Sequence, residues 1–190
     1  MNTQQTILSL SVVFLCLCLT SCLNGPPTVE GHRAALLVFD DVEDTGNYGY
    51  GAKIHETGEA KLSVAKIVDE NGQELVPDYA QLTATQTAGG AGKELKVLNS
   101  ALLVELSGEE SILTVRFALE PRRLVNIGVN GTVKTFVEPG PFPTWDGITT
   151  FVSYDEATHR GMLYFAGSLA SVRFGGKRVW IDNILYARLP

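Results

Sequence analysis

The stretch Leu124-Val125-Asn126-Ile127-Gly128-Val129-Asn130-Gly131-Thr132-Val133-Lys134-Thr135-Phe136-Val137 decides the fold. Apolar and β-branched residues run up to Asn130-Gly131 and resume directly after it. Asn-Gly supplies the two positive-φ residues of a type I′ turn, and that turn has the twist of two paired antiparallel strands. A β-hairpin over 124–137 is therefore expected, and the neighbouring segments follow the same grammar.

Just upstream, Ser111 to Leu119 alternates with period two. Leu113, Val115, Phe117 and Leu119 form its core face, opposite Ile112, Thr114, Arg116 and Ala118. Downstream, Pro-rich Glu138 to Trp145 is a loop, Gly147 to Tyr154 a strand, Asp155 to Gly161 a turn, and Met162 to Ala166 a strand. Ser171 to Phe174, Gly175-Gly176 and Lys177 to Ala187 read as a closing hairpin. Towards the N-terminus, strands are expected at Arg33 to Phe39, Lys61 to Val68 and Tyr79 to Gln86, with Asp69-Glu70-Asn71-Gly72 as a turn and Thr87 to Gly92 as a loop. Leu95 to Leu106 reads as two short strands, because Asn99-Ser100 interrupts it. No βαβ alternation occurs. Many short strands with turn chemistry between them predict an all-β fold, an antiparallel β-sandwich or jelly roll.

The chain has 190 residues, of which 45% are hydrophobic and 19% charged, a composition that can bury one core. Net charge is −6, and Arg122-Arg123 and Lys177-Arg178 are its only adjacent basic pairs. Nucleic acid binding needs a basic face and is not expected. The cysteines are Cys16, Cys18 and Cys22, so no disulfide can form beyond residue 22.

Ile7 to Leu19 is an apolar run of 13 residues. It has the length of a signal h-region and falls short of the ~20 residues that span a bilayer. Met1 to Gln5 carries no Lys or Arg, a departure from the usual signal peptide. Leu19-Thr20-Ser21-Cys22 resembles the lipobox of bacterial lipoprotein signal peptides. That resemblance implies a signal helix removed with residues 1–21 and an exported protein. It also implies a diacylglyceryl thioether and an N-acyl chain on Cys22, the protein's partner in the membrane. Leu23, rather than Asp, after the Cys implies the outer membrane where there is one. Residues 22–32 then form a tether around Asn24-Gly25-Pro26-Pro27, and 33–190 form the β-sandwich domain. A secretory signal cut nearby and an uncleaved anchor are the alternatives.

The sequence carries no catalytic signature. His32, His55 and His159 are scattered, and there is neither His-Glu-x-x-His nor Gly-x-Ser-x-Gly. No enzyme is expected. Two clusters carry binding chemistry instead. Tyr48, Tyr50, Phe142 and Trp145 fall in Gly- or Pro-rich loops, where rings either stack on sugar faces or cap an open sandwich end. Asp40, Asp41, Glu43 and Asp44 crowd after the first strand, and crowded carboxylates are either solvated or share a hard cation. Asp182, in Trp180-Ile181-Asp182-Asn183-Ile184, is either a hydrogen-bonded structural acid or a ligand.

Phe39-Asp40-Asp41-Val42-Glu43-Asp44 and Trp180-Ile181-Asp182-Asn183-Ile184 resemble the two ends of bacterial galactose-binding-like and carbohydrate-binding jelly-roll modules. Val42 departs from the aromatic that many of these carry. The resemblance implies a non-catalytic domain that binds a glycan or surface polymer, with first and last strands paired or close. It also implies a structural Ca²⁺ held by Asp41, Glu43 and Asp182. A structural lipoprotein that binds another envelope protein is the alternative.

Overall fold

The computed structural model describes residues 28–29, 32–37, 39–44, 46–106, 110–137 and 142–188. The signal segment and Cys22 lie outside them. Thirteen strands follow one another: β1 (Thr28–Val29), β2 (His32–Leu37), β3 (Asn47–Tyr48), β4 (Lys53–Glu56), β5 (Ala60–Ala65), β6 (Tyr79–Thr83), β7 (Glu94–Leu106), β8 (Glu110–Leu119), β9 (Leu124–Val129), β10 (Thr132–Val137), β11 (Thr149–Asp155), β12 (Arg160–Ser168) and β13 (Ser171–Arg188). Phe39–Asp41 is a single 3₁₀ turn, and no α-helix occurs among the described residues. The fold is all-β, and every strand pair is antiparallel.

The expected hairpin is present. β9 and β10 pair from Thr132↔Val129 to Val137↔Leu124, around Asn130 at φ 49° and Gly131 at φ 84°.

Two expected breaks are not breaks. Leu95 to Leu106 belongs to one 13-residue strand, β7, with Asn99 at φ 41° as a kink rather than an end. β13 pairs continuously along one edge of β7 from Ser171↔Glu105 to Ile181↔Leu95 and carries the strand across the kink. Gly175-Gly176 is likewise not a turn, because β13 runs unbroken for 18 residues. A Cβ on Gly175 would stand 2.3 Å from Ala101 Cα and from Ser100 O, and one on Gly176 would stand 2.3 Å from Leu124 O. These glycines answer close backbone approach, the other reason for Gly in a strand.

β7 and β13 are the trunk. The first half of β13 lies between β7 and β9, and its second half lies between β8 and β2, with a bulge at Asp182–Ile184. β7 pairs on its other edge with β6 before the kink and with β5 after it. One array therefore runs β10-β9-β13-β7-β5-β4. The other runs β11-β12-β8-β13, then β7 or β2 at different levels, with β6 and β3 beyond β7. Both turn a face to one core, which holds Leu62, Val97, Val115, Phe117, Ile127, Phe165, Phe174 and Ile181. The opposite face of β8 is also mostly covered, so Ile112, Thr114 and Ala118 are buried and only Arg116 reaches partly out. Trp180 falls on the outer face of β13, half-buried, with Lys96 Nζ 5.8 Å from its ring centre.

A second, smaller core joins Ala65, Ile67, Ala101 and Leu124 beneath the excursion from Lys66 to Val76. Asn126 ties that excursion to β9. It is fully buried, its Oδ1 accepts Val68 N–H at 2.6 Å, and its Nδ2 donates to Val68 O at 3.0 Å. A buried amide that acts as a strand partner leaves two groups unpaired when removed. Asn126→Ala is expected to lower stability by about 2 kcal/mol, read from the urea midpoint at constant m-value.

Candidate functional site

Trp145 reaches its place through a tight turn. Ile148 N–H donates to Trp145 O at 3.2 Å, and Gly147 takes φ 74°, which a side-chain-bearing residue adopts poorly. Phe142, half-buried, packs against Phe136, Tyr154 and Phe117 with ring centres 4.8, 5.6 and 6.1 Å away. This anchors the loop on the sandwich end and folds Trp145 back over it. The indole meets Phe165 edge-on at 6.1 Å and donates Nε1–H to Thr132 O at 3.1 Å. Lys134 lies over the ring at 5.3 Å, and its ammonium donates to Thr144 O at 2.5 Å.

The ring is only 9% exposed, so it forms a wall rather than an open platform. It borders a cavity of about 290 Å³ that is also lined by Asn130, Thr132, Lys134, Asp146 and Ile148. The Asn130 side chain is committed to the fold: it donates to Ser168 O and accepts from Ala170 N–H and Ser171 N–H. The remaining polar side chains on the lining are Thr132, Asp146 and Lys134, whose ammonium is given to Thr144 O, beside an indole and an isoleucine. This mixture suits a neutral or weakly charged polyol better than an apolar ligand.

The other expected rings lie elsewhere. Tyr48 is buried, and its hydroxyl donates to Glu43 O. Tyr50 is 61% exposed, with Lys66 Nζ 5.0 Å from its ring centre. Neither tyrosine lines the Trp145 cavity.

The expected acids are also parted. Asp41 and Glu43 are exposed, whereas Asp182 is 1% exposed inside the second array. Asp182 has Asp40 and Glu94 as its carboxylate neighbours. The glycine-rich loop before β7 presses on all three. A Cβ on Gly90 would stand 1.4 Å from Asp182 Oδ2, and one on Gly92 would stand 2.1 Å from Asp40 Oδ1. Arg116 Nη1 donates to Gly89 O at 2.9 Å, and Arg160 Nε donates to Thr87 O at 2.7 Å, which clamps the loop.

The oxygens are largely used by protein donors. Glu94 accepts from Thr85 Oγ1, Thr87 N–H and Ala88 N–H, Asp40 from Lys93 N–H, and Asp182 from Asn183 N–H. Burial pushes the Asp182 carboxyl up to about 6; the charges of Glu94 and Asp40 add to this, while Asn183 N–H and Arg116 oppose it. Among the described residues no three His, Cys, Asp or Glu side chains form a group that could hold a metal ion. Asp41 and Glu43 thus lie at the surface and Asp182 in the interior.

Lys134, Asp146 and Glu94 were not singled out by sequence reading, whereas Asp40 belonged to the expected acidic cluster. Lys134 had a signal, because alternation along the hairpin places it on the outer face. Glu94 had none, since it meets Asp182 only through long-range pairing. No protein-family model matches the chain, and no curated protein is significantly similar to it.

Proposed function

We propose that this is a lipid-anchored cell-envelope protein whose β-sandwich binds a glycan at the Trp145 cavity without turning it over. The observation that carries the reading is the cavity itself, with an indole wall and the Lys134, Asp146 and Thr132 groups on its lining. An indole edge shields the C–H face of a sugar, while an ammonium and a carboxylate exchange hydrogen bonds with its hydroxyls. The anchor part rests on the resemblance of Leu19–Cys22 to a lipobox, which supports a location outside the cytoplasm.

The test uses the full chain, solubilised in detergent, against a panel of neutral and charged polysaccharides with calcium or with chelator. Because Trp145 supports the core, its truncation would confuse binding with folding, and the exposed polar pair is the better probe. Lys134→Ala with Asp146→Ala is expected to weaken glycan binding by about tenfold, roughly 1.4 kcal/mol, with the melting temperature nearly unchanged. Binding that ignores the pair would move the site elsewhere. No binding by a folded protein would sink the reading.

One observation favours a second reading. Among the described residues β11 pairs only with β12, and Phe151 on it is 54% exposed. A free edge with an exposed ring suits an added strand from a protein partner. Crosslinking at position 151 to one envelope protein, in cells, would decide for it.

A further inference from the structure

Three Asn-Gly pairs occur in the chain, at 24–25, 71–72 and 130–131. In such a pair no Cβ shields the glycine nitrogen, and that nitrogen can attack the side-chain carbonyl of the asparagine before it. Asn24-Gly25 lies outside the described residues. The other two pairs sit in turns of opposite character.

Asn130-Gly131 is fastened. The Asn130 Nδ2 donates to Ser168 O at 2.7 Å, and its Oδ1 accepts Ala170 N–H and Ser171 N–H at 2.8 and 3.2 Å. The turn also joins β9 and β10, which pair along their whole length. For its Cγ to meet Gly131 N, the side chain must give up all three bonds.

Asn71-Gly72 is open. Both residues are exposed at the tip of the excursion from Lys66 to Val76, and nothing lies within 4 Å of a Cβ placed on Gly72. Asn71 is held through its backbone N–H, which donates to Asp69 Oδ1 at 2.8 Å; among the described residues its side-chain amide makes no hydrogen bond. The nucleophile has one restraint, because Gly72 N–H donates to Asp69 O at 3.1 Å. That bond belongs to a surface turn outside the named strands, closed by Asp69 N–H to Gln73 O and by the isolated bridge Val68↔Glu74. Exposed turns of this kind open locally at a small fraction of the cost of unfolding.

We propose that Asn71 is a site of spontaneous modification, where the side-chain amide becomes a carboxylate while Asn130 stays intact. Gly72 N gives its proton to solvent and attacks Asn71 Cγ. The Cγ–Nδ2 bond breaks, and the leaving nitrogen takes a proton from solvent and departs as ammonia. Water then opens the cyclic imide. Attack at Cγ gives aspartate, and attack at the main-chain carbonyl of residue 71 gives isoaspartate. One water enters, one ammonia leaves, and nothing is oxidised or reduced. Either product adds a carboxylate beside Asp69 and Glu70. The isoaspartyl form also lengthens the main chain by one carbon, in a turn whose Gly72 and Gln73 N–H groups are both aimed at Asp69. Val68 is tied to the sandwich by Asn126, which confines the disturbance to the tip. The proposal does not depend on the glycan reading.

The experiment incubates the full chain, folded in detergent, beside the same chain unfolded in urea, at mildly alkaline pH. Mass spectrometry follows the peptides that hold Asn71 and Asn130, and electron-transfer fragmentation tells isoaspartate from aspartate. In the folded protein Asn71 is expected to convert at least about tenfold faster than Asn130, since three bonds restrain one site and a single exposed bond the other. In urea the two are expected to convert at similar rates. Asn71→Gln is expected to abolish the product, because its longer side chain would have to close a larger ring. Gly72→Asp, which tolerates positive φ but crowds the nitrogen, is expected to slow conversion while leaving the turn in place. Asn71 that survives in the folded protein while converting in urea overturns the proposal, because the Asp69 bond would then lock the turn. Equal conversion of Asn71 and Asn130 in the folded protein overturns it too.

Discussion

Gly175→Ala is expected to remove most of the stability of the domain. The added methyl would enter at 2.3 Å from Ala101 Cα and Ser100 O and at 2.6 Å from Ala101 Cβ. Two of those atoms are backbone of β7, so no rotamer change relieves the overlap. The strands must separate where Gly175 pairs with Ala101 and, on its other edge, with Asn126. Overpacking within a core commonly costs about 1–3 kcal/mol, and a backbone clash at the trunk lies at or above the top of that range. A domain with about 5–15 kcal/mol in total cannot lose much more and stay folded at 37 °C. Chemical denaturation and expression yield report the effect. Gly131→Ala is the control: nothing lies within 4 Å of its Cβ, and only its φ of 84° opposes the change, for about 1 kcal/mol. A Gly175→Ala protein as stable as the control would disprove the close approach.

The second large effect is a pH dependence centred on Asp182. Its carboxyl titrates at about 6 in the folded protein, against about 3.9 in an unfolded chain. Between those values the folded state holds a proton that the unfolded state has lost. The stability this group contributes is therefore complete below about pH 4 and falls as pH rises through 6. At 1.36 kcal/mol per unit, the loss approaches about 3 kcal/mol by pH 7.5. Asp182→Asn fixes the neutral form and keeps the acceptor for Asn183 N–H. The variant is expected to match wild type at pH 4 and to exceed it at pH 7.5.

Other acids shift the opposite way. Asp155, Glu56 and Glu74 are exposed carboxyls held below their usual values, by Thr158, by Lys53 and by Lys66 respectively. The quantity to read is thus the difference between wild type and Asp182→Asn across pH, in which they cancel. A difference that stays flat from pH 4 to 7.5 would show that the carboxyl is ionised and well solvated in the folded protein.

The all-β fold was legible because its signals are local. Alternation in Ser111–Leu119 and the Asn130-Gly131 turn need only their own neighbours, and both appear where the pattern puts them. What failed was punctuation. Asn99-Ser100 and Gly175-Gly176 look like ends in one dimension. In three dimensions they face one another, as Ser100↔Gly176 and Ala101↔Gly175, and each strand carries the other past its weak point. Glycine has two meanings in a strand, and the sequence does not say which applies. The site residues diverged for a related reason. Trp145 follows Pro143 just before a tight turn, but whether its face opens to solvent depends on how Phe142 packs on Phe136 and Tyr154, which lie on two other strands. The acids beside Asp182 turn out to be Asp40 and Glu94, which come from segments the chain separates widely.

β13 has a consequence for how the molecule is made. Its partners β2, β7, β8 and β9 all precede it in the chain. Neither array can close before β13 has been made, because both share it. Its pairings with β2, β7, β8 and β9 are all long-range, which also slows folding once the chain is complete. Until β13 is in place, β2, β7, β8 and β9 lack the neighbour that joins them.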